Sequence, residues 1–330
     1  MKIFDIKSSD KNINIVARIE KIISSTGSNG MNYLIIHLVD KTGRVEARLW
    51  NSTNEDKETI AVNQIINVEG VANLYRNQIQ LKINSYKIIE AQDFEKLGIK
   101  FQDFNMSAPI NIEENWNNFS KILSEVKNPI YKKLTETILH RLKDDFLSYP
   151  AAMSIHHNVV GGLFWHSYTL VRNAKSIMGN YGYANIDWDL VICGSILHDV
   201  GKVVEIADIT GTDYSLEGKL LGHISIGNSF INNVAIELDL LTDSNGQINS
   251  EVTKLQHMVL ASHGKNEFGS PVEPVLIEAV ILSTFDSLDA RIYKINDELS
   301  KVGNNEWSAR ILSEDGKMFL NHFDPKSIKK

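Results

Sequence analysis

Apolar and polar residues alternate with a period of two through most of residues 12–90, which predicts β-strands rather than helices. Within Asn12–Ser25, Ile13, Ile15 and Ala17 alternate with Asn14, Val16 and Arg18. Met31–Val39 carries Leu34, Ile36 and Leu38 on one side and Tyr33, Ile35 and His37 on the other. The turn residues Asp40-Lys41-Thr42-Gly43 lead into Arg44–Trp50, where Val45, Ala47 and Leu49 alternate with Arg44, Glu46, Arg48 and Trp50. A polar, helix-compatible stretch at Ser52–Ile60 follows. Gln64–Leu74 and Asn77–Ile89 complete the pattern, with Ile79, Leu81 and Ile83 opposing Gln78, Gln80, Lys82 and Asn84. Five strands with a short helix between the third and fourth match an OB-fold barrel, whose exposed sheet face and loops commonly take oligonucleotides.

The alternation lapses from Ala91 to about Asn111, where Ala108-Pro109 opposes a helix, so residues 91–111 read as a linker. Helical periodicity then takes over. Asn111–Val126 and Pro129–Leu147 are amphipathic, the second with Ile130, Leu134, Ile138, Leu142 and Phe146 at four-residue spacing, and Tyr149-Pro150 ends it. Helices and loops continue to about Asp297. The chain therefore reads as a multidomain β + α protein: a five-stranded OB-fold barrel at 1–90, the linker, an all-α bundle at 112–300, and an extension at 301–330. In the extension a short strand pair, Ala309–Leu312 and Lys317–Phe319, is expected around Glu314-Asp315-Gly316, followed by a Lys-rich end that frays.

The 330 residues, 43% of them hydrophobic, are ordinary for a soluble protein of about two domains. No run approaches the roughly 18 apolar residues of a membrane-spanning helix, and the N-terminus lacks the layout of a signal peptide. The single cysteine, Cys193, cannot form an internal disulfide, which points to a reducing cytoplasm. A net charge of −7 speaks at first against nucleic acid, whose binding depends on cationic contacts with phosphate. The acid lies elsewhere, because residues 1–90 hold twelve Lys or Arg against ten Asp or Glu. On the outward side of the barrel, Tyr33, Trp50 and Tyr75 can stack on bases while Arg44, Arg48, Arg76 and Lys82 track a single-stranded backbone. Any one of these is ordinary on a solvated sheet; as a set on one face they favour binding.

The densest chemistry is Leu197-His198-Asp199-Val200-Gly201-Lys202, at the end of the apolar run Leu190–Ile196. A lone His-Asp pair is commonly a helix-end ion pair or a satisfied core histidine. Here further ligand-type residues stand in apolar helices on both sides: His166 upstream and Asp286 downstream. Each is costly to bury without a partner, and a metal ion offsets that cost. His166, His198, Asp199 and Asp286 form an H…HD…D set of nitrogen and oxygen donors, suited to Mn²⁺, Fe²⁺, Mg²⁺ or Zn²⁺. His223 and His263, each beside a glycine, fit a second ion. Two ions roughly 3.5–4 Å apart can clamp a phosphate and supply a nucleophile at neutral pH, the chemistry of phosphodiester hydrolysis.

Through His156-His157, Gly161-Gly162-Leu163, His166, Leu197–Lys202, Gly211-Thr212-Asp213-Tyr214, Glu217-Gly218, Leu221–Gly227, Phe268-Gly269-Ser270-Pro271 and Asp286–Arg291, the chain resembles the HD superfamily of metal-dependent phosphohydrolases. Within it, the ensemble is similar to the YhaM-type 3′-5′ exoribonucleases, a resemblance that extends over the N-terminal domain. It implies an exonuclease, with Mn²⁺ foremost among its ions and Co²⁺ also admitted, that degrades single-stranded RNA, and DNA too, from the 3′ end to nucleoside 5′-monophosphates in RNA turnover. Asp199 would serve chemistry as well as metal, Lys202 would stabilise charge on the phosphate, and His157 or His156 would contact phosphate or protonate the leaving group. The chain departs from the family pattern at Ser262-His263, where two successive histidines are usual. Two other functions remain compatible with the residues. One is an HD phosphohydrolase of nucleotides or cyclic dinucleotides with a regulatory barrel; the other is a single-strand DNA-binding replication accessory protein. Association into a homo-oligomer is left open by the sequence.

Overall fold

The computed structural model describes residues 1–330 except 28–29, 76–77, 153–157, 210, 212, 244 and 323–330. The chain divides into two compact units. One comprises Met1–Ser107 with Leu299–Ala309 and the described residues from Met318 onward; the other comprises Ala108–Glu298 with Arg310–Lys317.

The first unit is built on β1 (Ile13–Thr26), β2 (Asn32–Asp40), β3 (Gly43–Trp50), β4 (Ile65–Tyr75) and β5 (Gln78–Ile89), closed into a barrel in the order β1-β2-β3-β5-β4. All neighbours are antiparallel except β3 and β5, which run parallel. This is the barrel expected from the alternation. Ile13, Ile15, Ala17, Leu34, Ile36, Leu38, Val45, Ala47, Leu81 and Ile83 are all buried inside it. Helix α1 (Asn54–Thr59) starts at a capping box, in which Thr53 Oγ1 accepts from the Asp56 N–H while the Asp56 carboxylate accepts from the Thr53 N–H.

Arg18 keeps the predicted alternation, facing away from the barrel interior like its register partner Ile65, yet it is buried. Its guanidinium donates to Asn63 Oδ1 at 2.9 Å and to the Phe104 carbonyl at 3.4 Å. Phe104 is itself buried with Ile65 and Ile89, so this part of the expected linker packs on the barrel. A single helical turn, α2 (Phe94–Leu97), lies in the same stretch.

Asp56 also accepts a hydrogen bond from the Tyr86 hydroxyl at 2.6 Å. Burial, then this bond to an anion, pushes the Tyr86 phenol up from 10.0 to about 12. A folded-state pKa above the unfolded one favours the protonated form. The contribution is therefore fully present below pH 10 and lost as pH rises to about 12. The denaturant midpoint of the barrel should fall over that interval by more in the wild-type protein than in Tyr86→Phe; equal falls would remove Tyr86 as the cause.

The second unit is helical: α3 (Ile112–Ser124), α4 (Pro129–Ser148), α5 (Gly162–Ile177), α6 (Trp188–Leu197), α7 (Lys202–Glu205), α8 (Leu216–Glu237), α9 (Ser250–Leu260) and α10 (Ile277–Leu299). Asn128 caps α4, and Pro129 occupies its first turn, where a missing N–H costs nothing. The face carrying Leu134, Ile138 and Phe146 is buried, as the four-residue spacing predicts. Helix α6 is the centre of the unit. Every residue from Leu190 to Leu197 is buried, including Cys193. None of the helices among the described residues is long and apolar enough to cross a membrane.

The strands of the C-terminal extension lie farther from the turn than expected: β6 (Glu306–Trp307) pairs with β7 (Leu320–Asn321). Nearer the turn only the single bridge Ile311–Lys317 forms. Leu312–Glu314 instead makes a 3₁₀ turn, with the buried Glu314 carboxylate held by Arg291 of α10 at 2.8 Å. The Lys-rich tail expected to fray lies outside the described residues.

Candidate metal centre and nucleic-acid face

Five segments of the helical unit bring the candidate ligands together. His166 projects from α5, His198 and Asp199 follow the last turn of α6, His223 lies in α8, His263 follows α9, and Asp286 lies in α10. Two glycines make this possible. Gly201 touches α8 so closely that a Cβ there would collide with the carbonyl oxygen of His223, so only glycine lets the Asp199 turn approach. Gly222, at φ 72° and ψ 152°, breaks the helical path of α8 immediately before His223. The freed backbone N–H of His223 then donates to Glu205 Oε1 at 2.9 Å.

The hydrogen bonds of the four histidines fix which ring nitrogen carries the proton. His166 Nδ1 lies 2.7 Å from Asp289 Oδ2, His198 Nδ1 lies 3.0 Å from the Ser195 carbonyl, His223 Nδ1 lies 2.9 Å from Glu205 Oε1, and His263 Nδ1 lies 3.0 Å from the Phe268 carbonyl. These partners only accept, so each Nδ1 is a donor and each neutral ring presents a lone pair at Nε2. The Nε2 atoms of His166 and His198 face each other at 3.1 Å, and those of His223 and His263 at 3.4 Å. Facing lone pairs repel unless a cation lies between them. An imidazole whose other nitrogen is held by a carboxylate or carbonyl is the usual form of a histidine ligand.

Asp199 joins the two pairs. Its Oδ2 is 3.6 Å from His166 Nε2 and 3.4 Å from His198 Nε2, while its Oδ1 is 3.4 Å from His223 Nε2. Lys202 Nζ donates to Oδ2 at 2.7 Å, whereas Oδ1 is buried with no hydrogen-bond donor. An orphaned carboxylate oxygen facing imidazole nitrogens is an environment that suits a divalent cation. The donor set fits a divalent ion in two groups: His166, His198 and Asp199, and then Asp199, His223 and His263. Asp286 flanks the first group, its Oδ1 lying 3.2 Å from His166 Nε2.

The electrostatics agree in sign. Burial alone would lower the pKa of His166, but the Asp286 and Asp289 carboxylates outweigh it and lift it to about 9. Burial likewise opposes ionisation of Asp286, yet the His166 bond and charge hold it down to about 2. Asp199 is held well below the usual carboxylate range despite its burial, chiefly by Lys202 and His198. The cluster thus remains anionic and attracts positive charge, with a proton on His166 as the competitor of a metal ion.

Lys202 also converges here, buried against Asp199. His156 and His157 lie outside the described residues. Asp289 and Glu205, which orient His166 and His223, were not singled out from the sequence. Each stands three residues after a chosen one, Asp286 and Lys202 respectively, and so on the same helical face.

The barrel carries a second constellation. Tyr33 and Trp50 are cross-strand partners with their rings stacked at 4.5 Å. The Arg48 guanidinium lies 5.6 Å from each of these rings and 5.4 Å from that of Tyr75. Trp50 and Tyr75 are both exposed, as is Lys82, whose register partner is Arg48. Two of the expected cations have acidic neighbours: Arg44 Nε lies 2.9 Å from Glu20, and Arg48 Nε lies 3.1 Å from Glu46. Arg76 lies outside the described residues.

Comparison with known proteins identifies both domains. Residues 13–89 match the model of an OB-fold nucleic acid binding domain, and residues 163–291 match that of the HD domain. The 3′-5′ exoribonuclease YhaM of Listeria monocytogenes is 36% identical over 309 residues, covering 94% of this chain and 95% of that protein. The 3′-5′ exoribonuclease YhaM of Halalkalibacterium halodurans is 38% identical over 301 residues, covering 91% and 90%. With more than a third of the aligned positions identical along nearly the whole of both chains, this protein belongs to the YhaM 3′-5′ exoribonuclease family.

Proposed function

We propose that this protein is a divalent-metal-dependent exonuclease that shortens single-stranded RNA, and single-stranded DNA as well, from the 3′ end to nucleoside 5′-monophosphates, and so takes part in RNA turnover. The observation that carries the chemistry is the convergence of four histidine Nε2 atoms around the two oxygens of Asp199. The 3′-to-5′ direction rests on kinship with the relatives so named.

In this reading His166, His198, Asp199 and Asp286 hold the first ion, and Asp199, His223 and His263 hold the second. Four imidazoles among so few oxygens disfavour Mg²⁺, which takes oxygen ligands; Mn²⁺ is placed first on the family resemblance and not on the donor set, which also suits Fe²⁺ and Zn²⁺. A bound divalent ion supplies Lewis acidity toward phosphate and activates water near neutral pH. Asp199, whose two oxygens face the two histidine pairs, would be shared by both groups. The Lys202 ammonium, held at Asp199 Oδ2, neutralises charge that develops on a non-bridging phosphate oxygen. The barrel face holds the strand by stacking and ionic contact, apart from the chemistry.

The second group offers fewer donors than the first. Ser262, where relatives usually carry a histidine, is fully buried with an unpaired hydroxyl, and a serine hydroxyl is a poor ligand. Activity should therefore rise in two phases as Mn²⁺ is added. Glu205→Gln, which keeps the volume but weakens the hold on His223, should move only the weaker phase, by about 10- to 100-fold in metal concentration. A single phase at one-ion stoichiometry, unmoved by the substitution, would show one working metal.

The experiment that separates this function from a nucleotide or cyclic-dinucleotide hydrolase compares turnover of a 3′-tailed oligonucleotide with that of those small substrates. Preference for the oligonucleotide supports the exonuclease; preference for the small substrates overturns it.

A further inference from the structure

Beside the aromatic cluster of the barrel lies a recess lined by Glu46, Arg48, Tyr75, Gln78, Ile79 and Gln80. Its floor is a fixed polar arrangement. The parallel pairing of β3 with β5 sets Glu46 opposite Gln80, and Glu46 Oε1 accepts from Arg48 Nε at 3.1 Å and from Gln80 Nε2 at 2.6 Å. Both bonds fall on Oε1, which leaves Oε2 available on a side chain that is 32% exposed. Arg48 uses only Nε in this contact, so its two Nη groups keep their donors. The aromatic ring of Tyr75 forms a wall.

This is a poor place for a phosphate. The carboxylate repels it, and the nearest guanidinium is already neutralised by that carboxylate. It suits a group that stacks and that presents donors beside an acceptor along one edge. Among the four bases, guanine alone has two adjacent N–H donors, at N1 and N2, next to an acceptor, O6. Adenine and cytosine offer a carboxylate one exocyclic donor beside a ring-nitrogen acceptor, and uracil flanks its single donor with two carbonyls. We infer that Glu46, with Arg48 and Gln80, forms a guanine-selective subsite on the barrel: Glu46 accepts from N1–H and N2–H while Arg48 Nη donates to O6. Such reading of a Watson–Crick edge beside an aromatic wall is the common mode of selecting a base in single-stranded RNA. The subsite rests on the reading of the barrel as the single-strand platform.

The test uses the full-length protein, with chelator to stop hydrolysis, and fluorescence anisotropy of a short oligouridine carrying one central guanosine, inosine or adenosine. Inosine differs from guanosine only by the missing N2 amino group. The guanosine strand should bind about three- to tenfold more tightly than the inosine strand, the worth of one hydrogen bond to a charged acceptor near solvent. In Glu46→Gln that ratio should fall to about one. Equal affinity for guanosine and inosine strands in the wild-type protein, which needs no variant, overturns the subsite, as does a ratio unchanged in Glu46→Gln. Plain oligouridine separates the two levels. If Trp50→Ala weakens its binding while guanosine and inosine remain equal, only base selection fails; if Trp50→Ala leaves it unchanged, the platform fails and the subsite with it.

Discussion

Asp199→Asn is expected to lower hydrolysis of single-stranded RNA by roughly 10³-fold or more, while binding of a long single strand stays close to that of the wild-type protein. Among the described residues, Asp199 is the carboxylate that faces both histidine pairs, Oδ2 toward His166 and His198 and Oδ1 toward His223. Its loss therefore affects both proposed metal positions at once. Asparagine is preferable to alanine because Asp199 is also the partner of buried Lys202, and removing half of a buried ion pair typically costs about 3–5 kcal/mol. The amide keeps an oxygen near Nζ and spares part of that cost. Initial rates with saturating Mn²⁺, thermal unfolding and anisotropy in chelator, measured on the same preparation, separate chemistry from stability and binding. Near-normal turnover in a folded variant would remove Asp199 from the catalytic centre.

The second large effect belongs to the barrel. Trp50→Ala and Arg48→Ala should each weaken binding of a long single-stranded RNA by about 5- to 150-fold, the range given by 1–3 kcal/mol for a stacked base. Arg48 earns its place geometrically, because its guanidinium lies against Tyr33, Trp50 and Tyr75 together. Its loss loosens three stacking surfaces as well as removing a cation. Lys82→Ala should act differently, lowering the slope of log K against log salt by about 0.7, as expected for one phosphate contact on a single strand. Anisotropy across a salt series distinguishes the two behaviours. If all three variants bound a long strand as the wild-type protein does at every salt concentration, the binding face would have to be sought elsewhere.

The legibility of the fold followed burial. Strands of the barrel could be read from Leu34, Ile36 and Leu38, or Ile79, Leu81 and Ile83, because a closed barrel buries one face of each strand and so enforces a period of two. Arg18 could not be read this way. It lies on the outer side of the barrel and is buried there by a partner, Phe104, that is 86 residues away. In the extension the turn at Asp315-Gly316 was visible because both residues adopt positive φ, which their types favour. The strand limits were not visible, since Leu312–Glu314 forms a 3₁₀ turn in which Glu314 pairs with Arg291, a residue of a distant helix.

The cluster of histidines and aspartates was legible for a different reason. Ionisable residues in apolar helices are conspicuous, so His166, His198, Asp199 and Asp286 stood out against their neighbours. The partners that fix the histidine protons were harder to see. Ser195 and Phe268 contribute only backbone carbonyls, which every residue possesses. Glu205 was masked by its place in an ordinary polar turn, and its role depends on the backbone break at Gly222 that delivers His223 to it.

The central claim is that these lone pairs hold divalent ions which drive removal of nucleotides from a 3′ end. The most direct test is a time course on 5′-end-labelled single-stranded RNA, with metal-stripped protein in Mn²⁺, in Mg²⁺ and in chelator. In Mn²⁺ the labelled products should form a ladder that shortens progressively from the 3′ end, with nucleoside 5′-monophosphates released and no cleavage in chelator. Unchanged degradation in chelator, or immediate release of a labelled mononucleotide from the 5′ end, would contradict that claim.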